Sequence, residues 1–113
     1  MCTKNQALDI LYEVYKGCNV IFGGAIKEAY LYGSYARGDY HEESDIDILL
    51  DAEISQSEIS SYRNSVALLT SELSLKYDIT VSVTIKPLEQ FRRFGDILPY
   101  YKNVLAEGIK YAG

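Results

Sequence analysis

Residues 77–85, YDITVSVTI, alternate without a break. Tyr77, Ile79, Val81, Val83 and Ile85 fall on one side, and Asp78, Thr80, Ser82 and Thr84 on the other. A period of two in β-branched residues predicts a strand with one buried face. A strand needs partners for its backbone groups, so this chain must build a sheet. Two more strands are predicted at 25–32 and 45–51. In the second, Ile46, Ile48 and Leu50 share one face, while Asp45, Asp47, Leu49 and Asp51 share the other. Asp51 stands where the strand should end and reads as a terminator or cap.

Helical spacing of Ala7, Leu8, Leu11, Val14 and Tyr15 predicts a helix over 4–16, capped by Thr3 and ended by Gly17. A second helix is predicted over 54–75, with Ser55 or Ser57 as its cap. Pro87 and Pro99 open two shorter helices over 88–94 and 99–107, the last closed by Gly108. The order helix, strand, strand, helix, strand, helix, helix predicts a mixed α/β or α+β sheet with helices covering one face.

The 113 residues suffice for one domain, spanning 1–113. A net charge of −5 argues against a broad surface for DNA or RNA, whose affinity comes mostly from clustered Lys and Arg. Direct nucleic-acid binding is therefore not expected. Two cysteines, Cys2 and Cys18, make no disulfide framework and read as free thiols of a reducing compartment. No apolar run approaches the ~20 residues of a membrane span. A cytoplasmic location is expected. The eleven tyrosines fit half-buried positions, ring inside and hydroxyl wet, or a partner interface. The Arg92-Arg93 pair reads as a solvated helix face or as a contact for an acidic partner, and His41 as an exposed loop residue.

The chemistry concentrates in GSYARGDYHEESDID, residues 33–47. Asp45 and Asp47 are two apart on an extended chain, so both project to one side. Crowded carboxylates repel, and a hard divalent cation such as Mg²⁺ relieves the repulsion while leaving room for phosphate oxygens. Gly33 permits close approach of backbone to a ligand. Ser34 opens a short turn whose N–H groups attract phosphate. Arg37 has the geometry to clamp a phosphate, or to pair with Asp39. Asp78 is the candidate third acid.

Gly33-Ser34-Tyr35-Ala36-Arg37-Gly38, followed by Ser44-Asp45-Ile46-Asp47, resembles the signature of the polymerase-β-like nucleotidyltransferase superfamily, in its minimal branch. The tail from Leu98 to Val104, then Glu107-Gly108, resembles the ends of those small proteins. The resemblance implies a palm-like mixed sheet with flanking helices. It implies ATP as substrate with Mg²⁺, and transfer of a nucleoside monophosphate to a hydroxyl with release of pyrophosphate. Gly33, Ser34, Arg37 and Ser44 would bind the nucleotide. Asp45, Asp47 and Asp78 would hold two metals, and Asp78 would help deprotonate the acceptor. Minimal members pair with helical HEPN-type toxins, so an antitoxin that adenylylates a tyrosine of its partner is the expected role. Neutralisation by contact alone and transfer to a small molecule are the alternatives. The three-acid site requires Asp78 on the same side of the sheet as Asp45 and Asp47, with the Gly33–Ser34 bend facing them.

Overall fold

The structure is a computed structural model that describes residues 3–112, with only the backbone of Ala112. Cys2 lies outside the described residues. The first helix, α1 (Lys4–Ile21), is capped as its sequence demands. The Thr3 hydroxyl accepts the Gln6 N–H at 3.1 Å, and the Gln6 side chain accepts the Thr3 N–H at 2.9 Å. This capping box satisfies two N–H groups that a bare helix start leaves orphaned. The helix does not end at Gly17 as expected; it continues for another turn. A Cβ on Gly17 would lie 2.6 Å from Leu69 Cδ2. The glycine is a notch where a second helix crosses, and its role is packing rather than termination.

Four strands form one mixed sheet: β1 (Ile26–Tyr32), β2 (Ile46–Ala52), β3 (Val81–Pro87) and β4 (Ile109–Ala112). Their order is β3-β2-β1-β4. β1 is antiparallel to both β2 and β4, whereas β2 and β3 are parallel. The short α2 (Ser34–Arg37) links β1 to β2. A parallel neighbour requires a crossover, which α3 (Gln56–Ser61) and α4 (Arg63–Tyr77) provide. After β3 come α5 (Leu88–Phe94) and α6 (Pro99–Glu107), both opened at the prolines the sequence marks.

Three further features differ from the sequence reading. The helix expected over 54–75 is two helices, broken at Tyr62 (φ −103°, ψ 14°). The strand expected over 77–85 begins at Val81, because Tyr77 still belongs to α4 and Asp78 caps it. Asp78 has φ 52° and ψ 48°, a left-handed conformation that Asp tolerates better than most residues. Ladder contact with β2 starts at Thr80, whose carbonyl accepts the Ile46 N–H at 2.9 Å. The third difference is β4, for which the sequence gives no expectation.

Both faces of the sheet are covered, not one. Ile46, Ile48, Leu50 and Ala52 pack against Ile10, Leu11 and Val14 of α1 and Leu73 of α4. On the opposite face Tyr30 and Leu49 meet Phe91 of α5 with Tyr101 and Val104 of α6. Each such buried apolar side chain contributes about 1.5–3 kcal/mol. Cys18 is buried, and burial pushes its thiol up to about 12, consistent with an inert core residue. Among the described residues, no helix is long and apolar enough to cross a membrane.

Candidate active site

β1 delivers the chain to Gly33 at the edge of the face that carries Asp47. Tyr32 is the Cα partner of Asp47 across the antiparallel ladder, so the bend follows directly beside that carboxylate. Gly33 has φ 77°, and a Cβ there would lie 2.6 Å from Asp47 Oδ2. Glycine is demanded twice, by backbone conformation and by space. The bend therefore faces Asp47. Ser34 starts α2 and is half-buried.

Asp45 is exposed just ahead of β2, and Asp47 is half-buried within it. Burial holds the Asp47 carboxyl above its ordinary range; the neighbouring Asp45 charge adds to this, and Arg37 opposes it. That repulsion is the signature of a pair that gains from a cation. The donor set fits one hard divalent ion shared with phosphate oxygens.

Arg37 is exposed and already paired. Its Nε donates to Asp39 Oδ2 at 3.2 Å, and its Nη1 donates to Glu107 Oε2 at 3.3 Å. The Asp39 partner was one of the two alternatives in the sequence; Glu107, on α6, was not foreseen. Ser44 is buried and locks the loop before β2: its hydroxyl accepts the His41 N–H at 3.0 Å, and its own N–H donates to the His41 carbonyl at 3.0 Å. His41 is exposed, as expected, and its Nδ1 accepts the Glu43 N–H at 3.2 Å.

Asp78 does not join the pair. It is an exposed helix cap, three residues ahead of β3. Among the described residues, no three His, Cys, Asp or Glu side chains gather closely enough to hold a metal ion. The residue paired with Asp47 on the neighbouring strand is Ser82. The three-acid arrangement is thus corrected to a two-acid one. The left-handed cap removes Asp78 from the ladder and leaves the position level with Asp47 to a serine.

Asp51 is the acid that sequence reasoning misjudged. It is inside β2 rather than ending it, and it is fully buried. As a carboxylate, neither of its oxygens has a hydrogen-bond donor. Its neighbour is Glu28, which accepts from Tyr30 Oη at 3.3 Å and pairs with Lys110 at 2.8 Å. Two carboxyl groups share a hydrogen bond only with a proton between them. Burial, then the contact with Glu28, pushes Asp51 up to about 8, so near neutrality it is the acid that donates. Its burial is the missed signal, and only the fold reveals it.

A cleft of about 820 Å³ is lined by Glu53, Ile54, Pro87, Leu88, Arg92 and Arg93 at the far end of β2. It contains none of Gly33, Asp45 or Asp47, so it is not where this chemistry resides.

Comparisons with known proteins give the family of the chain. The family model described as nucleotidyltransferase domain matches residues 11–111. A Methanocaldococcus jannaschii protein named "Putative protein adenylyltransferase MJ0604" is 37% identical over 87 residues, 77% of this chain and 79% of that protein. A second from the same organism, "Putative protein adenylyltransferase MJ0141", is 35% identical over 80 residues, 71% of this chain and 79% of its own length. Among solved structures, a toxin–antitoxin crystal structure with AMP-PNP superposes with a TM-score of 0.56 at 20% identity, covering 99% of this chain and 75% of its own. A toxin–antitoxin MntA–HpeT mutant superposes with a TM-score of 0.54 at 20% identity, covering 100% and 74%. These two likenesses speak to the fold; the sequence relationships speak to the family. With a family match over residues 11–111 and relatives 35–37% identical, the chain belongs to the nucleotidyltransferase domain family and is a nucleotidyltransferase.

Proposed function

We propose that this protein transfers AMP from ATP to a tyrosine hydroxyl of a HEPN-type helical partner, and so acts as an antitoxin. The observation that carries the reading is the contact between the bend and the acid: a Cβ on Gly33 would stand 2.6 Å from Asp47 Oδ2. A phosphate chain seated on that bend would lie against the carboxylate pair. The substrate class follows the relatives named as protein adenylyltransferases.

Gly33 and Ser34 bind the terminal phosphates through the backbone of the bend. Arg37 is within reach of the same region and reinforces phosphate binding when it leaves Glu107. Asp45 and Asp47 would hold Mg²⁺, which when bound supplies charge neutralisation at the phosphate oxygens. The acceptor oxygen attacks the α-phosphorus, the bond to the pyrophosphate oxygen breaks, and the hydroxyl proton leaves to water. The chain's part is to orient the triphosphate in line and to fix the carboxylates around it.

The test uses ATP labelled at the α-phosphate, Mg²⁺ and a HEPN-type helical partner. The expected result is label on a partner tyrosine with the wild type and none with Asp47→Ala. If no label moves and Asp47→Ala matches the wild type, the transferase reading fails. A second reading, neutralisation by contact, is favoured by the two-acid site, and it predicts partner inhibition without ATP.

A further inference from the structure

β2 and β3 run parallel in register, and Asp47 is level with Ser82. Cα partners on neighbouring strands are about 4.8 Å apart, with side chains on the same face. Ser82 is exposed on that face, and on the other side of Asp47 stands Tyr32. Among the described residues no third acid gathers with Asp45 and Asp47: Asp78 caps α4, and Asp51 is buried farther along the strand.

A displacement at phosphorus assisted by two metals places them roughly 3.5–4 Å apart, one on the leaving side and one on the attacking side. The ion on the leaving side is held largely by the phosphates it travels with. The ion on the attacking side lacks those ligands and depends on carboxylates of the protein. Asp45 and Asp47 alone must then serve both. A serine hydroxyl is neutral and a weak ligand for a hard cation, which selects carboxylates.

We propose that Ser82 occupies the position from which a carboxylate would complete the second cation site, so that this chain holds a single divalent cation with its nucleotide. The inference rests on the nucleotidyltransferase reading and sharpens it: the site is loaded for nucleotide binding but is short of a group on the acceptor side. Serine at this position sets the transfer rate low, and one substitution raises it.

The experiment counts cations. Mn²⁺ replaces Mg²⁺, α,β-methylene-ATP replaces ATP, and electron paramagnetic resonance with equilibrium dialysis gives Mn²⁺ per bound nucleotide. The wild type binds one. Ser82→Asp binds two, with the spectral broadening of coupled ions. Ser82→Asn, equal in size to Asp and uncharged, still binds one. With ATP and the partner, Ser82→Asp raises AMP transfer at least about tenfold, against the 10²–10⁴-fold typical of a positioned base. Two Mn²⁺ in the wild type overturn this inference and leave the nucleotidyltransferase reading intact. So does one Mn²⁺ in a Ser82→Asp variant that melts like the wild type. A wild type that binds neither nucleotide nor Mn²⁺ overturns both. The wild-type count decides the matter even if the variant does not fold.

Discussion

Asp47 and Asp51 lie four residues apart on the same face of the same strand, yet they live in different solvents. Asp47 is half-buried, meets the bend at Gly33 and shares its charge with Asp45. Asp51 is fully buried and has no donor for either oxygen. Only the cover differs. Asp47 stays half-exposed beside Gly33, while α5 and α6 close over Tyr30 and Leu49 on the same face. An acid at the open end is available for ligands; a fully buried one must find a proton.

The largest effect should come from the open end. Asp47→Asn should lower AMP transfer about 10³-fold, the scale of losing a group that stabilises developing charge. Its melting temperature should stay level or rise, because the substitution removes a charge that burial, and then the neighbouring Asp45, disfavours. Calorimetry beside the labelled-ATP assay checks both. A large loss of stability would mean that Asp47 belongs with Asp51 as a structural acid, and the contrast would fail.

Gly33→Ala comes next. Its Cβ would collide with Asp47 Oδ2, and its φ of 77° strains any L side chain. A strained backbone residue costs about 1–3 kcal/mol, so the midpoint should fall by several degrees. Nucleotide affinity should be lost as well, read by titration with a non-hydrolysable analogue. Gly17→Ala makes a control for glycine loss: there the obstacle is the flexible end of Leu69, which can move aside.

At the closed end the effect is in pH. The folded state holds the Asp51 proton up to about 8, whereas an unfolded Asp releases it near ~3.9. The folded chain thus binds more protons between those values, and this group's contribution to stability falls as pH rises through that window. The slope is at most about 1.4 kcal/mol per pH unit. Glu28 acts oppositely and elsewhere. The bond from Asp51, then Lys110 and Tyr30, hold it below its usual range against burial, so its contribution fades only in acid. Urea midpoints at pH 5, 6, 7 and 8 should fall for the wild type and flatten for Asp51→Asn, which keeps a donor for Glu28. An unchanged slope would show that Asp51 is ionised in the fold.

The open end was legible in the sequence because its logic is local. A spacing of two puts Asp45 and Asp47 on one side, and a glycine before them signals close approach. The closed end was not, because α5 and α6, which close over that face, come some forty residues later in the chain. Gly17 was read as a stop for the same reason: its neighbour Leu69 is remote in sequence. Asp78 misled differently. Its alternation with Ile79 and Val81 is real, but the last turn of α4 extends into the pattern, and the left-handed cap consumes the first residues. The strand is right in kind and in phase but starts four residues later than expected, so that Ser82 rather than Asp78 stands beside Asp47.

The smallest effect concerns the tie between the open end and α6. Arg37 is exposed, and so are its partners Asp39 and Glu107. Exposed ion pairs contribute little to stability because water screens them and side-chain order is lost in making them. Glu107→Gln should leave the melting temperature unchanged. It should instead release Arg37 toward the Gly33 bend, where a triphosphate gives it a better partner. Nucleotide affinity should then rise two- to threefold, roughly the 0.2–1 kcal/mol of an exposed pair, and the gain should shrink in high salt as charges are screened. A titration at low and high ionic strength reads this directly. If affinity falls instead, Glu107 is holding Arg37 in its binding position, and the pair is part of the open end rather than a competitor for it.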